Sequence, residues 1–228
     1  MSYVFPPAPV TGVPVQGTKD LFPVRRIYCV GRNYAEHAKE MGFDPDREPP
    51  FFFCKPADAI VIHNADVPYP PRTENFHHEV ELVVAIGKVG KNIAVDQALD
   101  HVFGYAVGND LTRRDLQIAA RKIGRPWDTG KAFDHAAPIA AIRRVADGGH
   151  IQSGAIWLKV NGELRQQGDI RDLIWSVPEI IAELSTLYTL QPGDLIYTGT
   201  PAGVGPVKPG DVMEGYIDGL EPLKNRVV

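Results

Sequence analysis

The sequence predicts an α+β fold rich in short strands, on three observations. Glycine and proline, 22 and 20 of the 228 residues, are dispersed along the chain, so turns recur throughout. Between them lie apolar runs of strand length, many of them β-branched or aromatic. Only three segments combine helix-start residues with helical spacing. With 44% hydrophobic and 23% charged residues, the composition is that of ordinary globular proteins. One domain is expected over residues 25–228, preceded by an extended arm over 1–24 in which Pro6, Pro7, Pro9 and Pro14 oppose regular backbone pairing.

In chain order, strands are expected at Arg26–Val30, Phe51–Lys55, Glu79–Ile86, Val102–Gly108, Ile156–Val160 and Leu195–Thr198, with Asn161-Gly162 as a tight hairpin turn. Asn33 is placed to cap a helix over Tyr34–Met41 that Gly42 stops. Thr112 with Asp115 resembles a capping arrangement for Arg113–Ile123, which Gly124 stops. Ser176 and Glu179 have capping-box spacing for Val177–Tyr188, with Pro178 in the first turn. Its stripe of Ile180, Leu184, Leu187 and Tyr188 is core, with no function implied.

Charge and composition narrow the function. A formal charge of −4 leaves no global basic footprint for nucleic acid or an anionic membrane. The start MSYVFPPAPV lacks the basic and unbroken apolar regions of a secretion signal, and no later stretch has enough consecutive apolar residues to span a bilayer. A cytoplasmic location and a small-molecule partner are therefore expected. Cys29 and Cys54 lack CxxC spacing and read as buried free thiols in a reducing compartment.

The most informative segment is His77-His78-Glu79-Val80-Glu81-Leu82-Val83-Val84. Period-two geometry sends Glu79 and Glu81 to one face and Val80, Leu82 and Val84 to the other. Two carboxylates so close repel, so they either face solvent or share a cation. Asp110, just past the strand ending at Gly108, supplies a third acid. Three carboxylates without CxxC or HxxxH spacing favour a hard ion, Mg²⁺ or Mn²⁺, over zinc. His37 and Glu40 share a helical face, where the carboxylate can fix the imidazole tautomer and make it a better base; a surface ion pair is the plainer alternative. Lys131, among glycine and aromatics, is either a fixed cation for an oxyanion or a lysine whose stem snorkels to solvent. Arg114 and Gln117 share an i, i+3 face just after Asp110, which either places a carboxylate-binding fork beside the metal or is a plain surface arginine with its neighbour. Thr198-Gly199-Thr200-Pro201 lacks the lysine and following helix of a phosphate loop, and reads instead as a turn that offers the Thr200 hydroxyl and backbone N–H groups to an anion.

Five segments in order carry a resemblance: Gly31-Arg32-Asn33-Tyr34 with His37, His78-Glu79-Val80-Glu81-Leu82, Gly108-Asn109-Asp110, Lys131-Ala132-Phe133 and Thr198-Gly199-Thr200-Pro201. Together they resemble the successive signatures of the fumarylacetoacetate hydrolase family. Phe51-Phe52-Phe53-Cys54-Lys55-Pro56 and Asn161-Gly162-Glu163-Leu164-Arg165-Gln166 resemble its acylpyruvate-cleaving members, those acting on fumarylpyruvate in gentisate-type aromatic breakdown included. The resemblance implies a mixed β-sheet roll, usually dimeric, with one divalent ion per chain held by Glu79, Glu81 and Asp110. It implies that His37 with Glu40 activates water, and that Lys131, Gln117, Arg114 and Thr200 contact substrate. The implied reaction is hydrolysis of a carbon–carbon bond in a 2,4-diketo acid, fumarylpyruvate giving fumarate and pyruvate. A second carboxylate on the substrate needs its own cation, for which Arg32, Lys55, Arg113 and Arg125 are candidates. Acylpyruvate hydrolysis in general, decarboxylation or tautomerisation of oxaloacetate-like acids, and metal-stabilised binding without turnover are the rival readings.

Overall fold

The computed structural model describes residues 2–36 and 48–228, so His37, Glu40 and most of the expected Tyr34–Met41 helix lie outside the described residues. Its centre is a six-stranded sheet in the order Arg143–Arg144, Val102–Asn109, Val80–Ile86, Leu195–Tyr197, Ile27–Gly31, Phe51–Lys55. Leu195–Tyr197 runs parallel to Ile27–Gly31 and the other neighbours are antiparallel, so the sheet is mixed, as expected. A four-stranded antiparallel sheet, Glu163–Asp169, Ala155–Val160, Val212–Ile217 and Leu223–Arg226, packs against it. The two sheets meet closely at Gly215, where an added Cβ would lie 3.1 Å from Val80 and 3.3 Å from Val107. Strand Val80–Ile86 is buried at every position because it is covered on both faces and paired on both edges. Its alternation therefore sorts side chains between two interiors, and Glu81 is enclosed rather than solvated.

Several local readings are met by the structure. Asn161 and Gly162, at φ 53° and 84°, turn strand Ala155–Val160 into Glu163–Asp169. Helix Val177–Leu187 begins with the expected capping box, Ser176 N donating to Glu179 at 2.9 Å. Helix Arg114–Lys122 ends before Gly124 at φ 66°. Its start differs from expectation: Thr112 pairs with His77 in a small sheet and Asp115 accepts from Thr73 and Glu74, so neither caps the helix in the predicted way.

The N-terminal segment needs a larger correction. Gly12–Pro14 pairs with Leu21–Pro23, and Val13, Val15, Phe22 and Val24 are buried in the main core. Pro14 and Pro23 end short strands that have no further partner in their sheet, where a missing N–H costs nothing. Prolines thus oppose pairing only up to about residue 11. Cys54 is a second correction: both cysteines are free, but only Cys29 is buried. Among the described residues no helix is long and apolar enough to cross a membrane.

Gly108 shows how tightly the central strands close. A Cβ there would meet Val83 Cγ2 at 2.4 Å and Tyr197 Cε1 at 2.6 Å. Gly108→Ala is expected to destabilise the protein by about 1–3 kcal/mol, the usual range for overpacking. Urea unfolding checks this: the midpoint falls at constant slope, whereas an unchanged midpoint would mean that the neighbours yield freely.

Candidate metal centre

Strand register brings the three acids together. Val80 pairs with Asn109 and Glu81 with Gly108, so Glu79 precedes one strand where Asp110 follows the other. The junction is tied by Asp110 N donating to Glu79 O, and by Glu79 N donating to the Asn109 side chain, both at 2.8 Å. The result is a buried group in which one carboxylate oxygen from each of Glu79, Glu81 and Asp110 lies within 4.8 Å of the others. All three residues are at most 4% exposed, which removes the solvated-face reading.

Among the described residues, three cations contact this group. Lys131 Nζ bridges Glu79 and Asp110 at 2.7 Å each. Lys55 Nζ lies 2.8 Å from Asp110 and donates to the carbonyls of Leu111 and Lys131. Arg114 pairs with Glu79 and donates to Gln117 Oε1 at 2.5 Å. Burial alone would push the Lys131 ammonium down, but Asp110 and Glu79 outweigh it and hold its pKa above the usual lysine value. Glu81 goes the other way: burial first, then Asp110 and Glu79, push its carboxyl well up, with Lys131 and a 2.8 Å bond from Gly199 N opposing. An added cation would thus favour the ionised form of Glu81. His77 stays neutral, its pKa pushed down to about 4 by burial and then by Arg114. Arg114 Nε donates to its Nδ1 at 3.4 Å, which leaves Nε2 as the donor to Asn75.

Above the acids, an inner pocket of about 30 Å³ lined by Glu79, Glu81, Asp110, Gln117, Lys131 and Thr200 adjoins an outer cavity of about 610 Å³. Arg32, Phe53, Arg121, Trp127 and Lys131 border both. Not every predicted contact faces this space. The Lys55 side chain is fully buried beside Asp110, donates to two backbone carbonyls, and borders neither the inner pocket nor the outer cavity. Arg114 is committed to Glu79, Gln117 and His77 and steadies the acid group instead of presenting an open fork. Arg113 lies 4.4 Å over the Phe133 ring, and Arg125 borders the outer cavity alone. Thr200 donates to Val80 O at 2.8 Å and accepts from Gln166 at 2.7 Å, while the N–H of its turn serves Glu81, an anion of the protein itself.

Gln166 ends a segment that carries the resemblance, but the sequence assigns it no role. Its Oε1 accepts from His78 and from Val80 N, and its Nε2 donates to Thr200 and Pro201 O, so one buried amide ties the acidic strand to the Thr198–Pro201 turn. No spacing along the chain marks such a residue, since its partners are 34 to 88 positions away.

An all-oxygen donor set suits a hard divalent ion, and enclosure beneath a cavity suits a small acid that such an ion can chelate. The chain belongs to the fumarylacetoacetate hydrolase family, residues 26–228 matching the model described as Fumarylacetoacetate (FAA) hydrolase C-terminal. It is 51% identical over 180 residues to a fumarylpyruvate hydrolase of Ralstonia sp, covering 79% of this chain and 93% of that protein. A mitochondrial oxaloacetate tautomerase of Mus musculus is 44% identical over 206 residues, 89% of this chain and 91% of that one. Among solved structures, fumarylpyruvate hydrolase from Pseudomonas aeruginosa in complex with Mn²⁺ and pyruvate matches with a TM-score of 0.97 at 55% identity, covering 100% of this chain and 99% of that chain.

Proposed function

We propose that the protein hydrolyses acylpyruvates, with fumarylpyruvate as substrate and fumarate and pyruvate as products, using one Mg²⁺ or Mn²⁺ per chain at Glu79, Glu81 and Asp110. The observation that carries this reading is the enclosed three-carboxylate group with Lys131 bridging two of its members beside a cavity. The relative solved with Mn²⁺ and pyruvate supports it. When bound, the ion supplies a Lewis acid for the carboxylate and 2-keto oxygen of the substrate. His37, oriented by Glu40, takes a proton from water as it adds to the C4 carbonyl. Lys131 provides positive charge for the C4 oxyanion, and Gln117 and Thr200 border the space where the pyruvyl end sits. Collapse breaks the C3–C4 bond, C4 leaves as the new carboxylate, and C3 keeps the electron pair and takes a proton to give pyruvate. A cytoplasmic homodimer in gentisate-type aromatic breakdown belongs to the same proposal and follows the resemblance.

The oxaloacetate tautomerase relative supports a second reading, enolisation of oxaloacetate in the same pocket. A lactate dehydrogenase assay for pyruvate, run on fumarylpyruvate and acetylpyruvate beside an ultraviolet assay of oxaloacetate tautomerisation, separates the two. Pyruvate and fumarate released one to one from fumarylpyruvate are expected. Turnover of oxaloacetate with no pyruvate from either diketo acid would replace the hydrolase by the tautomerase.

A further inference from the structure

We infer that Arg121, together with Arg32, binds the far carboxylate of the substrate and so sets the preference for diacids; this rests on the acylpyruvate hydrolase reading above. Helix Arg114–Lys122 places Arg114, Gln117 and Arg121 at i, i+3 and i+7, on one face. That face runs outward from the acids. Arg114 is on Glu79, Gln117 borders the inner pocket, and Arg121 borders both the inner pocket and the outer cavity. At 1.5 Å per residue, Arg114 and Arg121 are separated by about 10 Å along the helix, a span suited to a short acid held by its keto end at the metal centre.

The space between carries the right chemistry for the middle of such a molecule. Phe53 and Trp127 border both spaces, with ring centroids 5.7 Å apart, and offer apolar walls to a planar enoyl chain. Arg32 borders both spaces as well, with its guanidinium 4.9 Å from the Phe51 ring centroid. A carboxylate entering a partly desolvated cavity needs a cation, and guanidinium matches it with two parallel donors. The other candidates are placed elsewhere: Lys55 and Arg113 border neither space, and Arg125 stands only at the outer one.

The experiment compares kcat/KM for fumarylpyruvate and for acetylpyruvate, which lacks the far carboxylate, in the wild-type enzyme, Arg121→Gln and Arg121→Lys. In Arg121→Gln the preference for fumarylpyruvate is expected to shrink about ten- to a hundredfold, mostly through KM, as for the loss of one charged hydrogen-bonded contact. Arg121→Lys keeps part of it. Inhibition by fumarate, a readout of the far subsite independent of turnover, weakens in Arg121→Gln more than inhibition by pyruvate does. Equal losses on the two substrates, with unchanged fumarate inhibition, overturn the assignment and leave the hydrolase reading standing. A wild-type enzyme that cleaves neither substrate overturns the hydrolase reading and this assignment with it.

Discussion

Exhaustive removal of divalent ions abolishes pyruvate release from fumarylpyruvate, and Mn²⁺ or Mg²⁺ restores it. The expectation rests on the electrostatics of the acid group. Glu79 already has Lys131 and Arg114, and Asp110 has Lys131 and Lys55. Glu81 has the Gly199 N–H, and its carboxyl is driven well up by burial and by its two acidic neighbours. A hard divalent ion held by these carboxylates would relieve that repulsion and supply a Lewis acid for the keto acid. Glu81→Gln is therefore expected to fail in the same way as the stripped enzyme, with Mn²⁺ affinity reduced in calorimetry. Turnover that survives chelation, or Mn²⁺ binding unchanged in Glu81→Gln, would remove the ion from this site.

His37→Ala lowers kcat by about 10²- to 10⁴-fold, the usual contribution of a general base, and leaves Mn²⁺ affinity unaltered. Glu40→Gln lowers it less, because it disturbs the orientation of the base and leaves the imidazole in place. Both residues lie outside the described residues, and the prediction draws on their i, i+3 spacing and on the anchoring of Asn33 nearby. Asn33 is fully buried, donates to Trp175 O and Thr198 O, and accepts from Trp175 N at 2.7 Å. Thr198 adjoins Gly199, whose N–H holds Glu81, so the chain four positions before His37 is fixed to the turn that orients a candidate ligand. Stopped-flow kinetics with parallel Mn²⁺ titrations make the check. Full activity in His37→Ala would exclude it as the base, and lost ion binding would make it a ligand.

Much of the site was legible because its geometry is local to strands. Glu79 and Glu81 share a face by period two, and Asp110 stands at the end of a recognisable strand, so antiparallel pairing brought all three together. What escaped depended on distance along the chain. Lys55 looked available for substrate because nothing near it in sequence shows that it would be buried beside Asp110 and Leu111. Gln166 sits in a different sheet from the acids it steadies. Arg121 is the local exception, since it continues the Arg114–Gln117 face by one more turn. The N-terminal hairpin was hidden by its own prolines, which forbid central strands and tolerate edges.

The pairing of three carboxylates with Lys55, Arg114 and Lys131 bears on how the site fills. Even with all three acids ionised, these six side chains sum to zero charge. A divalent ion then adds two positive charges to an enclosed place, and a ligand that brings two negative ones restores the balance. Each therefore raises the other's affinity by the same factor, as thermodynamic reciprocity requires. The ion and the keto acid behave as a linked pair, and occupancy of the resting protein follows the supply of the acid as much as that of the metal.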